Sequence, residues 1–229
     1  MNKQKILAII PARGGSKGIP KKNLIKINNK PLLFYTVKAS LNSKFINRTI
    51  VSSDNSDILD NAKFFGSEII KRPKKFATDF SQQESVITHV LQVLKKQENY
   101  SPDIIILLQN TSPLRNSIHI DEAFNLFFSK KYDSLLSVYK THKLFWTINH
   151  GQSISLTYDP KNRPRRQELK GEYVENGAIF ITTKKAFEKT NSRISGRIGL
   201  YVMPENASID IDEKFDIFLV SQIMKFLKN

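Results

Sequence analysis

Four short stretches of the chain carry residues whose types and spacing suit the handling of a polyanion. In the first, Arg13, Lys17, Lys21 and Lys22 are threaded among Gly14, Gly15 and Gly18, directly after an apolar run. Glycine lets backbone N–H groups approach a ligand with no side chain in the way, and the cations around it favour negative charge, most simply a triphosphate. The plainer alternative is a solvated basic turn. Neither the G-x-x-x-x-G-K-[ST] loop nor the G-x-G-x-x-G loop is present, so this is a different phosphate loop. In the second stretch, Gln109 offers both a donor and an acceptor, and Thr111 and Ser112 offer hydroxyls. In the third, Arg163, Arg165 and Arg166 bracket Pro164; paired guanidiniums recognise carboxylate or phosphate in forked geometry, although a solvated basic loop has the same composition. In the fourth, Asp210 and Asp212 stand two apart. On a strand they share a face and repel one another unless a cation or protons intervene, and a hard cation such as Mg²⁺ takes oxygen ligands of this kind. An N-cap with a neighbouring carboxylate is the bland alternative.

These stretches need a frame. The 229 residues suffice for one medium domain with a substantial core, and a hydrophobic content of 40% is that of a folded chain. The apolar runs are far shorter than the roughly 20 residues that span a bilayer, and the first is too short for a secretory signal, so no membrane insertion is expected. The absence of Cys removes thiol nucleophiles, disulfides and Cys-ligated metals, and agrees with a cytoplasmic location. The net charge of +15 raises nucleic acid as a partner. The lysines are scattered through every segment, however, with no basic stripe interleaved with aromatics, so small anionic substrates are expected instead.

The hydrophobic pattern alternates between strand and helix. Ile6 to Ile10 reads as a buried strand, followed by a helix from Pro31 to Leu41 with Leu33, Val37 and Leu41 at helical spacing. Arg48 to Ser53 is a second strand, and Asn55 or Ser56 caps a helix over Asp57 to Phe65 that Gly66 ends. Ile69 and Ile70 form a short strand. A polar stretch then leads into a helix from about Gln83 to Lys96, the strand Asp103 to Leu108, a helix from Ser117 to Lys130 and the strand Ser134 to Val138. Such a rhythm predicts an α/β protein with a mostly parallel sheet between helical layers, and ligands beyond the carboxyl ends of its strands, where the glycine loop falls. From Tyr139 to Glu175 the rhythm lapses, which suggests a lobe or dimerisation arm of about residues 139–175 inserted in the single domain. A final helix is expected from Glu213 to Leu227.

Ala12 to Asn23 resembles the signature A-R-x-G-S-K-G-x-x-x-K-N of the nonulosonate cytidylyltransferases, the enzymes that make CMP-activated sialic acids. Three further stretches resemble that family in the same order. They are L-Q-N-T-S-P-L-R ending at Arg115, R-P-R-R-Q from Arg163 followed by E-N-G-A-I-F-I from Glu175, and the D-x-D of Asp210 and Asp212. Asn110 departs from the Pro of many bacterial members, and Gln83 from the Ser of animal-type members. The branch acting on the eight-carbon acid 3-deoxy-manno-octulosonate lacks the third stretch. A nucleotidyltransferase for an aldose phosphate and a nucleic-acid-binding module are the more distant alternatives.

The resemblance implies a three-layer, Rossmann-like nucleotidyltransferase fold with a small dimerisation lobe. It also implies Mg²⁺-dependent transfer of CMP from CTP to the anomeric hydroxyl of a nine-carbon 2-keto sugar acid, for lipopolysaccharide, capsule or other glycan synthesis. In this chain Arg13, Lys17 and Lys22 would hold the triphosphate in a loop that includes Gly15 and Ser16, while Asn23, Arg72, Ser81 and Gln83 would contact the nucleotide. Gln109, Thr111, Lys143, Arg165, Arg166 and Asn176 would face the sugar acid. Arg163 would join Arg13 and Lys22 in catalysis. Asp210 and Asp212 would hold Mg²⁺, with Asp212 helping to take the proton. A homodimer is implied as well, its arginine segment reaching the neighbouring site.

Overall fold

The computed structural model describes residues 4–16, 18–78 and 80–227. The chain enters through β1 (Ile6–Pro11), passes the glycine loop and a small hairpin of β2 (Lys26–Ile27) and β3 (Lys30–Pro31), and turns into α1 (Leu32–Leu41). It continues through β4 (Arg48–Ser53), α2 (Ser56–Phe64), β5 (Glu68–Lys71), α3 (Gln83–Glu98), β6 (Ile104–Leu107) and α4 (Ser117–Lys130). Next come β7 (Ser134–Thr141), the hairpin of β8 (Trp146–Asn149) and β9 (Gln152–Ser155), and β10 (Glu172–Thr183). The short α5 (Lys184–Thr190), β11 (Ile198–Val202) and α6 (Lys214–Phe226) complete it.

Seven strands form one sheet in the order β11-β7-β10-β6-β1-β4-β5. All neighbours are parallel except β10, which runs antiparallel to both β6 and β7. Successive side chains of a strand point to opposite faces, and both faces of β1 are buried. Ile6, Ala8 and Ile10 meet a layer that includes Leu33 and Val37 of α1, Ile58 of α2, Phe124 of α4 and Val220 of α6. Leu7 and Ile9 meet Val86, Ile87 and Val90 of α3 and Phe187 beyond β10. Covering on both faces is what permits a run as apolar as I-L-A-I-I, and it produces the three-layer architecture expected from the alternation.

Local chemistry ends the elements where the sequence suggested. Asn55 caps α2 by accepting from the Ile58 N–H at 3.1 Å, and Gly66 follows that helix with φ +99°. The polar N–H and C=O groups that leave β1, β4, β5 and β6 all emerge at the same edge, because these four strands are parallel. Two differences from the sequence reading bear on function. The segment between β7 and β10 is shorter than the lapse in pattern suggested, because β7 runs on to Thr141 and β10 begins opposite it at Glu172. Only residues 142–171 leave the sheet, as the exposed hairpin β8–β9 and a 3-10 turn at Arg166–Glu168. Asp210 and Asp212 do not lie on a strand. Residues 208–212 carry no regular secondary structure and do not pair with the sheet; the Ile211 N–H instead donates to the Thr111 carbonyl at 2.8 Å. The alternation survives, since Ile211 is fully buried between the two carboxylates. No helix among the described residues is long and apolar enough to cross a membrane.

Candidate active site

A cavity of about 280 Å³ opens at the carboxyl ends of β1, β5 and β6. It is lined by Arg13, Gly15, Ser16, Lys22 and Asn23 of the glycine loop, by Arg72, Ser81 and Gln83 after β5, and by Gln109 and Thr111 after β6. Ten residues singled out in the sequence thus meet around one space. Lys17, singled out with them, lies outside the described residues.

The glycine loop is tied down at both ends. Ala12 N–H donates to the Ser52 carbonyl at 3.0 Å, and Gly14 N–H to the Asp54 carboxylate at 2.9 Å, which fixes the first turn against the end of β4. At the far end the Asn23 amide donates to the Arg13 carbonyl at 2.9 Å, so Asn23 closes the loop on itself. Asn110 then donates to Asn23 Oδ1 at 3.2 Å and to the Pro11 carbonyl at 3.4 Å, bracing both feet of the loop from the end of β6. Asn110 was noted in the sequence only as a departure from Pro. Its donor, which Pro lacks, gives it this part. Gly18 passes so close to the D-x-D segment that a Cβ there would lie 2.7 Å from the Asp212 carbonyl oxygen, which explains a glycine at this point of the loop.

Lys22 joins the loop to the D-x-D segment. Its Nζ donates to the Ile211 carbonyl at 2.8 Å and sits 3.1 Å from Asp212 Oδ1. The Lys22 side chain is 15% exposed and that of Asp212 is 73% exposed, so the ion pair stands at the mouth of the cavity with its carboxylate open to solvent. Asp210 is half buried. Burial pushes its carboxyl above the usual carboxylate range, opposed by a hydrogen bond from Thr111, reinforced by the charge of Asp212, and opposed again by Lys22 and Ser112. Ser112 Oγ lies 3.4 Å from Asp210 Oδ1. Asp210, whose ionised state is disfavoured by burial and by the neighbouring carboxylate, together with the open carboxylate of Asp212, suits a hard divalent cation. These two would supply part of an oxygen shell that phosphates and water complete. Among the described residues no group of three or more His, Cys, Asp and Glu side chains could hold a metal by itself.

On the opposite wall Arg72 is only 4% exposed. Burial lowers the pKa of its guanidinium, Asp54 opposes that, and Arg13 adds to it. Arg72 Nε and Gln83 Oε1 are buried with no hydrogen-bond partner, a donor and an acceptor left over beside the cavity. His89 packs behind this wall with its ring 5.6 Å from Phe76, and burial, followed by the charges of Arg72 and Lys75, keeps it toward the neutral form. Ser81 is engaged with Thr78, accepting from its N–H at 3.0 Å. Phe76, Thr78 and Val86 also line the cavity. No polar signal marked Phe76 and Val86 in the sequence, since an apolar wall and a core residue look alike there.

The remaining candidates are placed elsewhere. Lys143, Arg163 and Arg166 line a separate groove with His142 and Leu169 on the 142–171 excursion, and Arg165 is exposed next to them. Within one chain they do not reach the cavity that holds Arg13 and Lys22. Asn176 is buried, and its amide is spent on Ser137, Ser208 and Ala178 rather than turned to the cavity. Arg115, the last residue of the L-Q-N-T-S-P-L-R stretch, received no role from the sequence. It is wholly buried without a carboxylate partner, and burial pushes its pKa down to about 9. It donates to Thr36 Oγ1 of α1 at 2.8 Å and to the Gln109 carbonyl at 3.3 Å, and so fixes the backbone of Gln109.

Comparison with known proteins places this arrangement. Residues 7–228 match the family model described as cytidylyltransferase. The N-acylneuraminate cytidylyltransferase of Escherichia coli O18:K1:H7 is 36% identical, over 96% of this chain and 52% of that protein. That of Oncorhynchus mykiss is 34% identical, over 93% of this chain and 49% of that protein. The chain therefore spans about half the length of these two relatives. The pseudaminic acid cytidylyltransferase of Campylobacter jejuni is 29% identical over 93% of both chains. Among solved structures, a CMP:2-keto-3-deoxy-manno-octonic acid synthetase complexed with CTP superposes with a TM-score of 0.69 at 17% identity, over 97% of this chain and 99% of that one, a likeness of fold. With nearly its whole length matched by the family model, the chain belongs to the cytidylyltransferase family.

Proposed function

We propose that the protein transfers CMP from CTP to the anomeric hydroxyl of a nine-carbon 2-keto sugar acid, N-acetylneuraminate or a relative such as legionaminate or pseudaminate. The observation that carries this reading is the meeting of Arg13, Lys22, Asn23 and Arg72 around one cavity, with the D-x-D segment held against Lys22. The names of the relatives, which act on N-acylneuraminate and pseudaminic acid, support the acceptor class. In the reaction the anomeric oxygen attacks the α-phosphorus of CTP. The bond from that phosphorus to the oxygen bridging to the β-phosphate breaks, pyrophosphate leaves, and the hydroxyl proton passes to Asp212. Such a transfer depends on positioning and charge neutralisation more than on covalent catalysis.

Arg13 and Lys22, with Lys17, bind the triphosphate and offset the charge that grows on the leaving pyrophosphate. Gly15 and Ser16 present loop backbone to it. Asn23, Arg72, Ser81 and Gln83 bind the nucleoside, the orphaned donor of Arg72 and acceptor of Gln83 suiting a base edge. Gln109 and Thr111 orient the sugar acid. Asp210 and Asp212 would hold Mg²⁺, which when bound supplies neutralisation of phosphate charge. The protein works beside its nucleotide in the cytoplasm. CTP is expected to release pyrophosphate in the presence of the sugar acid at least about 10²-fold faster than ATP, GTP or UTP, the scale of losing a designed base contact. A pyrophosphate-release assay with the four nucleotides tests this, and comparable rates with UTP would contradict it.

The placing of Arg163, Arg165 and Arg166 away from the cavity of their own chain supports a homodimer in which this segment and Lys143 complete the neighbour's site, binding the sugar carboxylate. Mixing an inactive R165A/R166A chain with an inactive K22A chain should restore activity, because one of the two sites in the heterodimer then has all its parts. No rescue in a mixture shown by native mass spectrometry to have exchanged subunits counts against a shared site.

A further inference from the structure

The stretch E-N-G-A interrupts β10 in the middle of the sheet. Pairing with β7 is regular through Glu175 opposite Val138, breaks, and resumes at Phe180 opposite Leu136. Such a bulge bends a strand and re-aims side chains. Two residues within it bear on two residues of the site, Gly177 directly and Asn176 through its hydrogen-bond partners. Gly177 has φ +69°, and a Cβ on it would lie 2.7 Å from Gln109 Oε1, so both its conformation and the space it leaves admit only glycine while Gln109 keeps its place.

Asn176 makes the other contact. Its Oδ1 accepts from Ser137 Oγ at 2.6 Å and from the Ala178 N–H at 3.2 Å. Because the Ala178 N–H can only donate, the amide orientation is settled, and Nδ2 donates to Ser208 Oγ at 2.9 Å. Ser208 in turn donates to the Pro204 carbonyl at 2.8 Å, which anchors the chain two residues before Asp210. From the backbone side, Ser112 Oγ lies 3.4 Å from both the Asn176 carbonyl and Asp210 Oδ1. Asn176, Ser137, Ser112 and Ser208 are all buried, so each bond removed leaves a polar atom that water cannot reach. The Thr111 carbonyl, which accepts from the Ile211 N–H at 2.8 Å, holds the same segment from the other side.

From this we infer that the Asn176–Gly177 bulge is a positioning joint: Asn176 sets Asp210 through Ser208 and Ser112, and Gly177 sets Gln109, so that the nucleotide side and the sugar-acid side of the site are held in register by one irregularity of β10. The inference rests on the reading of the cavity as a cytidylyltransferase site. Asn176 acts through other residues and does not itself touch substrate.

Two double-mutant cycles test it, with N-acetylneuraminate as the sugar acid and Mn²⁺ as a metal probe read by electron paramagnetic resonance in the presence of CTP. Asn176→Ala should weaken Mn²⁺ binding and lower kcat about tenfold, the effect of stranding a buried polar group, while CTP binding without metal holds within about twofold. In an Asp210→Ala background the same change should add less than about twofold, since the residue it positions is gone. Gly177→Ala should raise the KM for the sugar acid about tenfold, and this loss should vanish in a Gln109→Ala background, where the clashing atom is absent. If circular dichroism shows that Asn176→Ala does not fold, Ser208→Ala replaces it with the same expectations. Losses that add fully in both cycles overturn the joint and leave only ordinary destabilisation. Failure of the wild-type protein to bind CTP with Mn²⁺ overturns the cytidylyltransferase reading and this inference with it, whereas wild-type binding with additive losses overturns the inference alone.

Discussion

Asp210→Ala and Asp212→Ala are each expected to lower turnover by about 10²-fold or more, the scale of removing a major electrostatic contribution to a phosphoryl transfer. The two carboxylates would face a triphosphate, and neither can approach it closely without a cation between them. The fold should survive both changes. Asp212 is largely exposed, and the carboxyl of Asp210 is already disfavoured in its charged form by burial and by its neighbour. The asparagine forms should separate the two roles. Asp210→Asn keeps shape and an oxygen ligand but loses charge, so its rate should recover in part at high Mg²⁺. Asp212→Asn should stay slow even at saturation, because the proposed proton acceptor is lost as well. Titrating Mg²⁺ against rate in the four variants decides this, and near wild-type rates in both alanine forms would reduce the D-x-D to a helix approach. A pH dependence follows with a definite sign. Since the pKa of Asp210 is raised, its charged form is lost on acidification earlier than for an ordinary aspartate. Mg²⁺ affinity should therefore fall as pH is lowered through a range above the usual carboxylate one, and Asp210→Asn should remove that dependence.

Lys22→Ala is expected to cost about 10²- to 10³-fold in kcat/KM. Lys22 lines the cavity and also touches the D-x-D segment, with its ammonium on the Ile211 carbonyl and beside Asp212. When a triphosphate enters, the ammonium can turn from the exposed carboxylate to a phosphate oxygen, which would free Asp212 for the roles proposed for it. Lys22→Arg should restore little, because a planar fork does not replace a compact ammonium within hydrogen-bond reach of a backbone carbonyl. The K22A/D212A double variant should be less impaired than the product of the two single losses, since the pair is broken by either. Steady-state kinetics on wild type and the four variants K22A, K22R, D212A and K22A/D212A checks all of these; full multiplicativity would show that the ion pair has no part in turnover.

How much of this was legible in the sequence depends on the range of the forces involved. The helix from Ser117 to Lys130 and the strand from Arg48 to Ser53 have the bounds read from periodicity and caps, because both signals are local. The antiparallel β10 was not read as a strand: its middle is broken by the bulge, and a strand buried on both faces lacks alternation. The stretch at Asp210 looked like a strand because its alternation is real, yet what pins it lies far away in the chain, the Thr111 carbonyl among those contacts. Asn176 looked like a ligand-binding residue and is instead spent on Ser208 and Ser137, 32 and 39 residues away. Arg115 and Asn110 carried no signal of their own roles, since a buried guanidinium holding the Gln109 carbonyl, or an amide bracing Pro11, exists only once the strands are side by side. Sequence spacing showed which residues could do chemistry, while tertiary contacts decide which of them face the cavity and which hold others there.

The most direct test supplies CTP and Mg²⁺ with a panel of acceptors and follows both pyrophosphate and the CMP-sugar by mass spectrometry. The panel holds N-acetylneuraminate, legionaminate, pseudaminate, 3-deoxy-manno-octulosonate and an aldose 1-phosphate. One or more of the nine-carbon acids should yield stoichiometric CMP-sugar and pyrophosphate, at a kcat/KM well above that for the eight-carbon acid and with none for the aldose phosphate. Preference for the octulosonate or the aldose phosphate, or no product from any nine-carbon acid, would contradict the proposed function.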